Sequence, residues 1–150
     1  MLEVGSPFSP FSLPNQDGKT LTLKDFAGKW LVVYVYPKDD TPGCTIQGKS
    51  FTATRNDFQA AGIEVVGVSQ DDVASHKNFC NKFGFTIDLL ADTNATLLKS
   101  AGVGTSFVID PHGNLRKVDE NVKTGRTRPD AARRYQEHAR KVKPCLSPLL

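Results

Sequence analysis

The side chains in this 150-residue chain best suited to covalent chemistry are its three cysteines, Cys44, Cys80 and Cys145. Cys44 has the most informative setting. It closes the string Tyr36-Pro37-Lys38-Asp39-Asp40-Thr41-Pro42-Gly43-Cys44, in which an apolar run hands the chain to a proline-rich loop and a helical stretch follows. The unpaired N–H groups and the dipole of a helix start favour negative charge. A thiol there is expected to have a depressed pKa and so to be more thiolate, the nucleophilic form. Thr41 can turn its hydroxyl toward the sulfur or toward an incoming oxygen, while Pro37 and Pro42 stiffen the loop and remove competing donors. A cysteine at a helix start can equally be a small buried hydrophobe, so two readings stand, core filler or redox chemistry.

The elements that must position Cys44 follow from the pattern. Asn15-Gln16-Asp17-Gly18 is turn chemistry and predicts a hairpin from about Phe11 to Leu23. Leu31 to Tyr36 is apolar on both faces, as expected of a central strand covered on both sides. A helix is expected from about Thr45 to Ala61, a strand over Ile63–Val68, a helix over Val73–Phe83 stopped by Gly84, and a short strand at Asp88–Ala91. A short helix over Asn94–Ala101 and a hairpin around Asp110-Pro111-His112-Gly113-Asn114 come next. The last helix is expected over about Pro129–Val142, with 144–150 as a frayed tail. This order predicts one α/β domain over 1–150: a mixed sheet with helices on both faces and an N-terminal β-hairpin, a description that a thioredoxin-like sheet meets.

Bulk properties exclude several alternatives. With 39% hydrophobic and 23% charged residues the composition is that of an ordinary globular chain. No apolar run approaches the ~20 residues of a membrane span, and the N-terminus carries no secretory pattern. A cytoplasmic location is the expectation, with a mature organelle form equally compatible. The net charge of +3 argues for no nucleic-acid partner, although eight Lys/Arg against Asp130 and Glu137 crowd into 123–143. The widely spaced cysteines, with no C-x-x-C, fit neither a disulfide scaffold nor a zinc knuckle. His76 and Cys80 at i and i+4 could pair on a metal, but no third ligand stands near them, and zinc sites use three or four.

The spacing Pro37-x-x-x-Thr41-x-x-Cys44 resembles the active-site signature of peroxiredoxins. The longer string Tyr34-Val35-Tyr36-Pro37-Lys38-Asp39 with Thr41-Pro42-Gly43-Cys44-Thr45 is similar to the bacterioferritin-comigratory-protein, or PrxQ, branch. The resemblance extends to Gly28-Lys29-Trp30, Gly62 to Ser69, Ser75 to Cys80, and Phe107 to Asp110 with Gly113, spanning roughly 5–118. It implies a thiol peroxidase that reduces hydrogen peroxide and organic hydroperoxides without cofactor or metal. Cys44 would attack the peroxide and become a sulfenic acid, Thr41 would hold the peroxide, and Pro37 would shape and shield the pocket. The resemblance further implies recycling by thioredoxin or a similar dithiol reductant, and a monomer.

Many members of that branch carry a resolving cysteine five residues after the first, where this chain has Lys49. Another subset resolves from the next helix, which points to an intramolecular Cys44–Cys80 disulfide reached by local opening of both helices, with Cys145 as the alternative resolver. The arginine usual before the strand at Thr105–Val108 is missing. Arg126 of Gly125-Arg126-Thr127-Arg128 is the expected substitute, followed by Arg128, with Arg55 a further candidate.

Overall fold

The computed structural model describes residues 3–101 and 104–119. Strands β1 (Ser12–Pro14) and β2 (Thr20–Thr22) pair antiparallel as a small separate sheet. Then follow β3 (Trp30–Val35), α1 (Pro42–Ala60), β4 (Ile63–Ser69), α2 (Val73–Phe83), β5 (Asp88–Ala91), α3 (Thr96–Ala101), β6 (Ser106–Ile109) and β7 (Leu115–Asp119). The main sheet has the order β5-β4-β3-β6-β7. Strands β3, β4 and β5 run parallel, and β6 and β7 each run antiparallel to the preceding neighbour in that order. This is the mixed α/β architecture expected from the alternation of elements. The expected helix over 129–142 lies outside the described residues.

Because successive strand residues point to opposite faces, the apolar run of β3 feeds two cores. Trp30, Val32 and Tyr34 join Phe51 and Phe58 of α1 and Phe79 of α2 on one face. Leu31, Val33 and Val35 join Phe8, Phe11, Leu97 and Leu98 on the other, beneath the N-terminal segment and α3. Both cysteines of the described region belong to the first of these cores. Gly67 of β4 is required there: a Cβ would stand 2.6 Å from Tyr34 Cζ and 2.8 Å from Leu89 Cδ2.

The hairpin tip docks on the main sheet. The Asn15 carboxamide oxygen accepts from Asp17 N (2.9 Å) and Lys19 N (3.0 Å), which shapes the turn, while its amide donates to Asp88 Oδ1 (3.1 Å). Gln16 then donates to Ile87 O at 3.2 Å and accepts from Leu89 N at 3.0 Å, along the outer edge of β5.

Helix α1 begins three residues earlier than the sequence pattern suggests. Thr41 is its N-cap, in extended conformation, and Pro42 occupies the first turn, where its fixed φ fits and its missing N–H costs nothing. Helix α2 has the expected bounds. The Asp72 carboxylate caps it by accepting from Ser75 N at 2.8 Å, and Gly84 closes it in the left-handed region at φ 69.

Candidate active site around Cys44

Strand β3 ends at Val35, and the buried Tyr36 leads into the turn that carries Pro37 to Thr41. With Thr41 as cap, Cys44 is the third residue of α1 and its N–H is among those a helix start leaves free. The Cys44 side chain is 6% exposed and is a free thiol. The Thr41 hydroxyl donates to Lys38 O at 3.1 Å and also lies against the Cys44 sulfur. It has one proton to give, so rotation about a single bond switches that proton between the Lys38 carbonyl and the sulfur. Pro37 is solvent-exposed.

The sequence pattern predicts a depressed Cys44 pKa, and among the described residues the balance runs the other way. Burial pushes the thiol up, the Thr41 hydroxyl and the Lys38 backbone pull it down, and the Asp39 and Asp71 carboxylates push it up again. The helix start is present as expected. What the sequence does not show is how deeply the sulfur sits and that its charged neighbours are acids.

Cys80 lies on the inward face of α2, also 6% exposed and free. Burial first, then the charges of Asp39, Asp17 and Asp88, raise its pKa to about 12. The two thiols share one apolar cluster with Tyr34, Tyr36, Phe51 and Phe79. Tyr34 stacks on Phe51 (ring centroids 4.8 Å apart) and on Tyr36 (5.6 Å). Lys49, which stands where a resolving cysteine occurs in many relatives, places its ammonium 5.1 Å from the Phe83 ring centroid and so ties α1 to α2.

Arg126, Arg128 and Cys145 lie outside the described residues. Arg55 is part of α1, eleven residues beyond Cys44, which is about 16 Å along the helix axis. That exceeds the reach of its side chain, so the expectation that Arg55 serves the sulfur is not met.

The main feature absent from the sequence reading is a buried polar cluster beside the two thiols. The His76 ring is fully buried. Its Nδ1 lies 2.7 Å from Asp39 Oδ2 and its Nε2 lies 3.0 Å from Leu90 O. With Nε2 donating to the Leu90 carbonyl, Nδ1 is the ring atom that faces the Asp39 carboxylate. Asp39 also accepts from the Tyr36 hydroxyl (2.6 Å) and from Ser75 Oγ (2.8 Å). Its backbone N–H donates to Asp71 Oδ2 at 2.8 Å. Both His76 nitrogens are therefore engaged by protein oxygens, and the pairing of His76 with Cys80 on a metal is not the arrangement found. The i, i+4 spacing of His76 and Cys80 was a visible signal, but the partner that explains His76 is 37 residues away.

A groove of about 810 Å³ runs between residues 9–14 and the starts of α2 and α3, and neither Cys44 nor Cys80 lines it.

Comparison with known proteins agrees with this geometry. The AhpC/TSA family matches residues 4–118. Peroxiredoxin Q, chloroplastic, of Populus jackii is 43% identical over 121 residues, which is 74% of this chain and 57% of that protein. The chain thus spans little more than half the length of the plant relative. Peroxiredoxin Bcp of Xanthomonas campestris is 37% identical over 134 residues, covering 78% of this chain and 84% of the relative. Among solved structures, the bacterioferritin comigratory protein of Xanthomonas campestris, described for its alkyl peroxide reduction activity, superposes with a TM-score of 0.79 at 34% identity. That match covers 86% of this chain and 92% of the other. Two further structures of Xanthomonas campestris peroxiredoxin Q are cysteine-to-serine variants at positions 36 residues apart, the same separation as Cys44 and Cys80. This chain belongs to the AhpC/TSA family and, within it, to the peroxiredoxins of the Q and Bcp kind.

Proposed function

We propose that this protein is a thiol peroxidase that reduces hydrogen peroxide and organic hydroperoxides at Cys44 and resolves the product with Cys80. The observation that carries the reading is the placement of Cys44 in the first turn of α1, with the Thr41 hydroxyl against its sulfur and Cys80 in the same core. The Cys44 thiolate attacks the terminal peroxide oxygen. The S–O bond forms as the O–O bond breaks, and the leaving alkoxide or hydroxide takes up a proton. Sulfur loses two electrons and the peroxide gains them. Thr41, turned from Lys38 O, donates to the thiolate and then to the peroxide oxygen. Pro37 shapes the turn. Arg126 supplies the positive charge that a buried thiolate facing Asp39 and Asp71 requires, with Arg128 second.

Cys80 then attacks the Cys44 sulfenic acid, a disulfide forms, and hydroxide leaves and is protonated to water. A thioredoxin-type dithiol returns both thiols to the reduced state by exchange. The test is to mix reduced protein with one equivalent of hydrogen peroxide, follow peroxide loss, and map the linkage by peptide mass. Rapid loss with a 44–80 bridge in the wild type, and a persistent Cys44 sulfenic acid in Cys80→Ser, is the expected result. A bridge to Cys145 overturns the resolving assignment, and no peroxide loss with Cys44 unmodified overturns the enzyme.

A further inference from the structure

Asp39 is the residue on which the two cysteine-bearing segments converge. It belongs to the turn that leads to Thr41 and Cys44, and its side chain is 5% exposed. Apart from Tyr36, its hydrogen-bond partners all lie on the segment leading into α2 or in its first turns: Asp71, Ser75 and His76. His76 is one helical turn ahead of Cys80, and its other nitrogen is anchored to Leu90 O in β5. One ring thus pins α2 to the sheet on one side and to the Cys44 turn on the other. On the surface, Lys82 and Asp40 repeat the connection at 2.7 Å, and Asp40 sits at φ 58, a conformation uncommon for a residue with a Cβ. The turn before Cys44 is therefore held in a strained form by contacts that end on α2.

We propose that the Asp39–His76 pair is a positioning latch for the peroxidase reaction. Closed, it holds the Cys44 turn and α2 in the arrangement in which peroxide meets the thiolate. Open, it frees both segments as one cooperative unit, and the Cys80 sulfur reaches Cys44. The inference rests on the peroxidase reading above. Asp39 and His76 touch neither peroxide nor sulfur in this role; they set the balance between the two chemical steps.

The test separates those steps in the full-length protein by rapid quench, trapping the sulfenic acid with a dimedone-type reagent and the free thiols with an alkylating agent. In Asp39→Ala and in His76→Phe, oxidation of Cys44 by hydrogen peroxide slows at least tenfold while conversion of the sulfenic acid to the disulfide speeds up. His76→Asn, whose amide can still donate to Asp39, restores most of the wild-type ratio. Both steps changing by the same factor, or neither changing, overturns the latch. Should the alanine variant fail to fold, Asp39→Asn and His76→Phe carry the same comparison. Hydrogen exchange of the reduced proteins, without peroxide, gives the second readout. Residues 38–45 and 73–83 exchange faster together in each single variant and no faster in the double variant. Acceleration confined to one segment overturns the proposal. A wild type that consumes no peroxide sinks the peroxidase reading instead, and the exchange result still decides whether the two segments are latched.

Discussion

Replacing Gly67 with alanine places a methyl group where no space exists. The new Cβ would lie 2.6 Å from Tyr34 Cζ, 2.7 Å from Tyr34 Oη and 2.8 Å from Leu89 Cδ2. Comfortable carbon contacts are about 3.5–4.0 Å, so each neighbour must retreat by close to an ångström. Neither can do so freely: the Tyr34 ring is stacked between Phe51 and Tyr36, and Leu89 is fully buried. Overpacking of this kind costs about 1–3 kcal/mol, and three simultaneous contacts place Gly67→Ala at the upper end. The backbone at Gly67 is not in the left-handed region, so alanine recovers about 0.4–1 kcal/mol by restricting the unfolded chain. The net loss is about 2 kcal/mol, or about 4–8 °C in Tm for a chain of this length. Urea unfolding followed by Trp30 fluorescence, with a thermal melt, measures it. Adding Tyr34→Phe recovers only part of the loss, because Cζ remains in place after the hydroxyl is gone. A Gly67→Ala protein within about 0.5 kcal/mol of wild type would show that Tyr34 has room to move, and would refute the tight stacking described here.

Thr41→Val keeps the shape of the N-cap and removes the proton donor at the sulfur. A hydrogen bond to a charged group contributes about 1.5–3 kcal/mol, so Cys44 oxidation measured by stopped flow should slow about ten- to hundredfold, with Thr41→Ser close to wild type. Asp92, 1% exposed, accepts from the backbone N–H groups of Thr96, Leu97 and Leu98. Asp92→Ala removes that shared acceptor at the start of α3 and should cost about 2–4 kcal/mol in urea unfolding, since a hydrogen bond to a charged group contributes about 1.5–3 kcal/mol. For Cys80 the sign follows from its direction of shift. Its pKa is raised in the folded protein from the ordinary 9.0 to about 12, so its contribution to stability is intact below pH 9 and is lost as pH rises toward 12. In a Cys44→Ser background the alkylation rate of Cys80 should therefore keep climbing toward pH 12. A plateau just above pH 9 contradicts the burial of that thiol.

How far the sequence reveals this arrangement depends on the range of the interactions involved. The unbroken β-branched run Leu31 to Tyr36 foretells a strand between two cores because its signal is local composition. Asp72 and Gly84 mark the ends of α2 because capping is decided within a few residues. The start of α1 was equally local, since a threonine before a proline is a cap before a first-turn residue, and reading the helix from Thr45 overlooks it. The Asp39–His76 pair was not legible. It joins residues 37 apart, and only the packing of α2 against the turn after β3 brings them together. The direction of the Cys44 pKa was hidden for the same reason: the helix start is sequence-local, whereas burial and the approach of Asp71 are tertiary.

The contact between the hairpin tip and β5 has a consequence for how this molecule behaves in company. A sheet edge offers a row of unpaired backbone groups on which another chain can grow as an added strand. At β5 that row is already answered: the Gln16 carboxamide meets Ile87 O and Leu89 N in the donor-and-acceptor pattern of a neighbouring strand, and Asn15 secures Asp88 beside it. A second molecule that sought to extend the sheet there would first have to evict a side chain held by a folded turn. The N-terminal hairpin thus covers this stretch of the β5 edge, and truncating it would bare the Ile87 carbonyl and the Leu89 N–H without touching either cysteine.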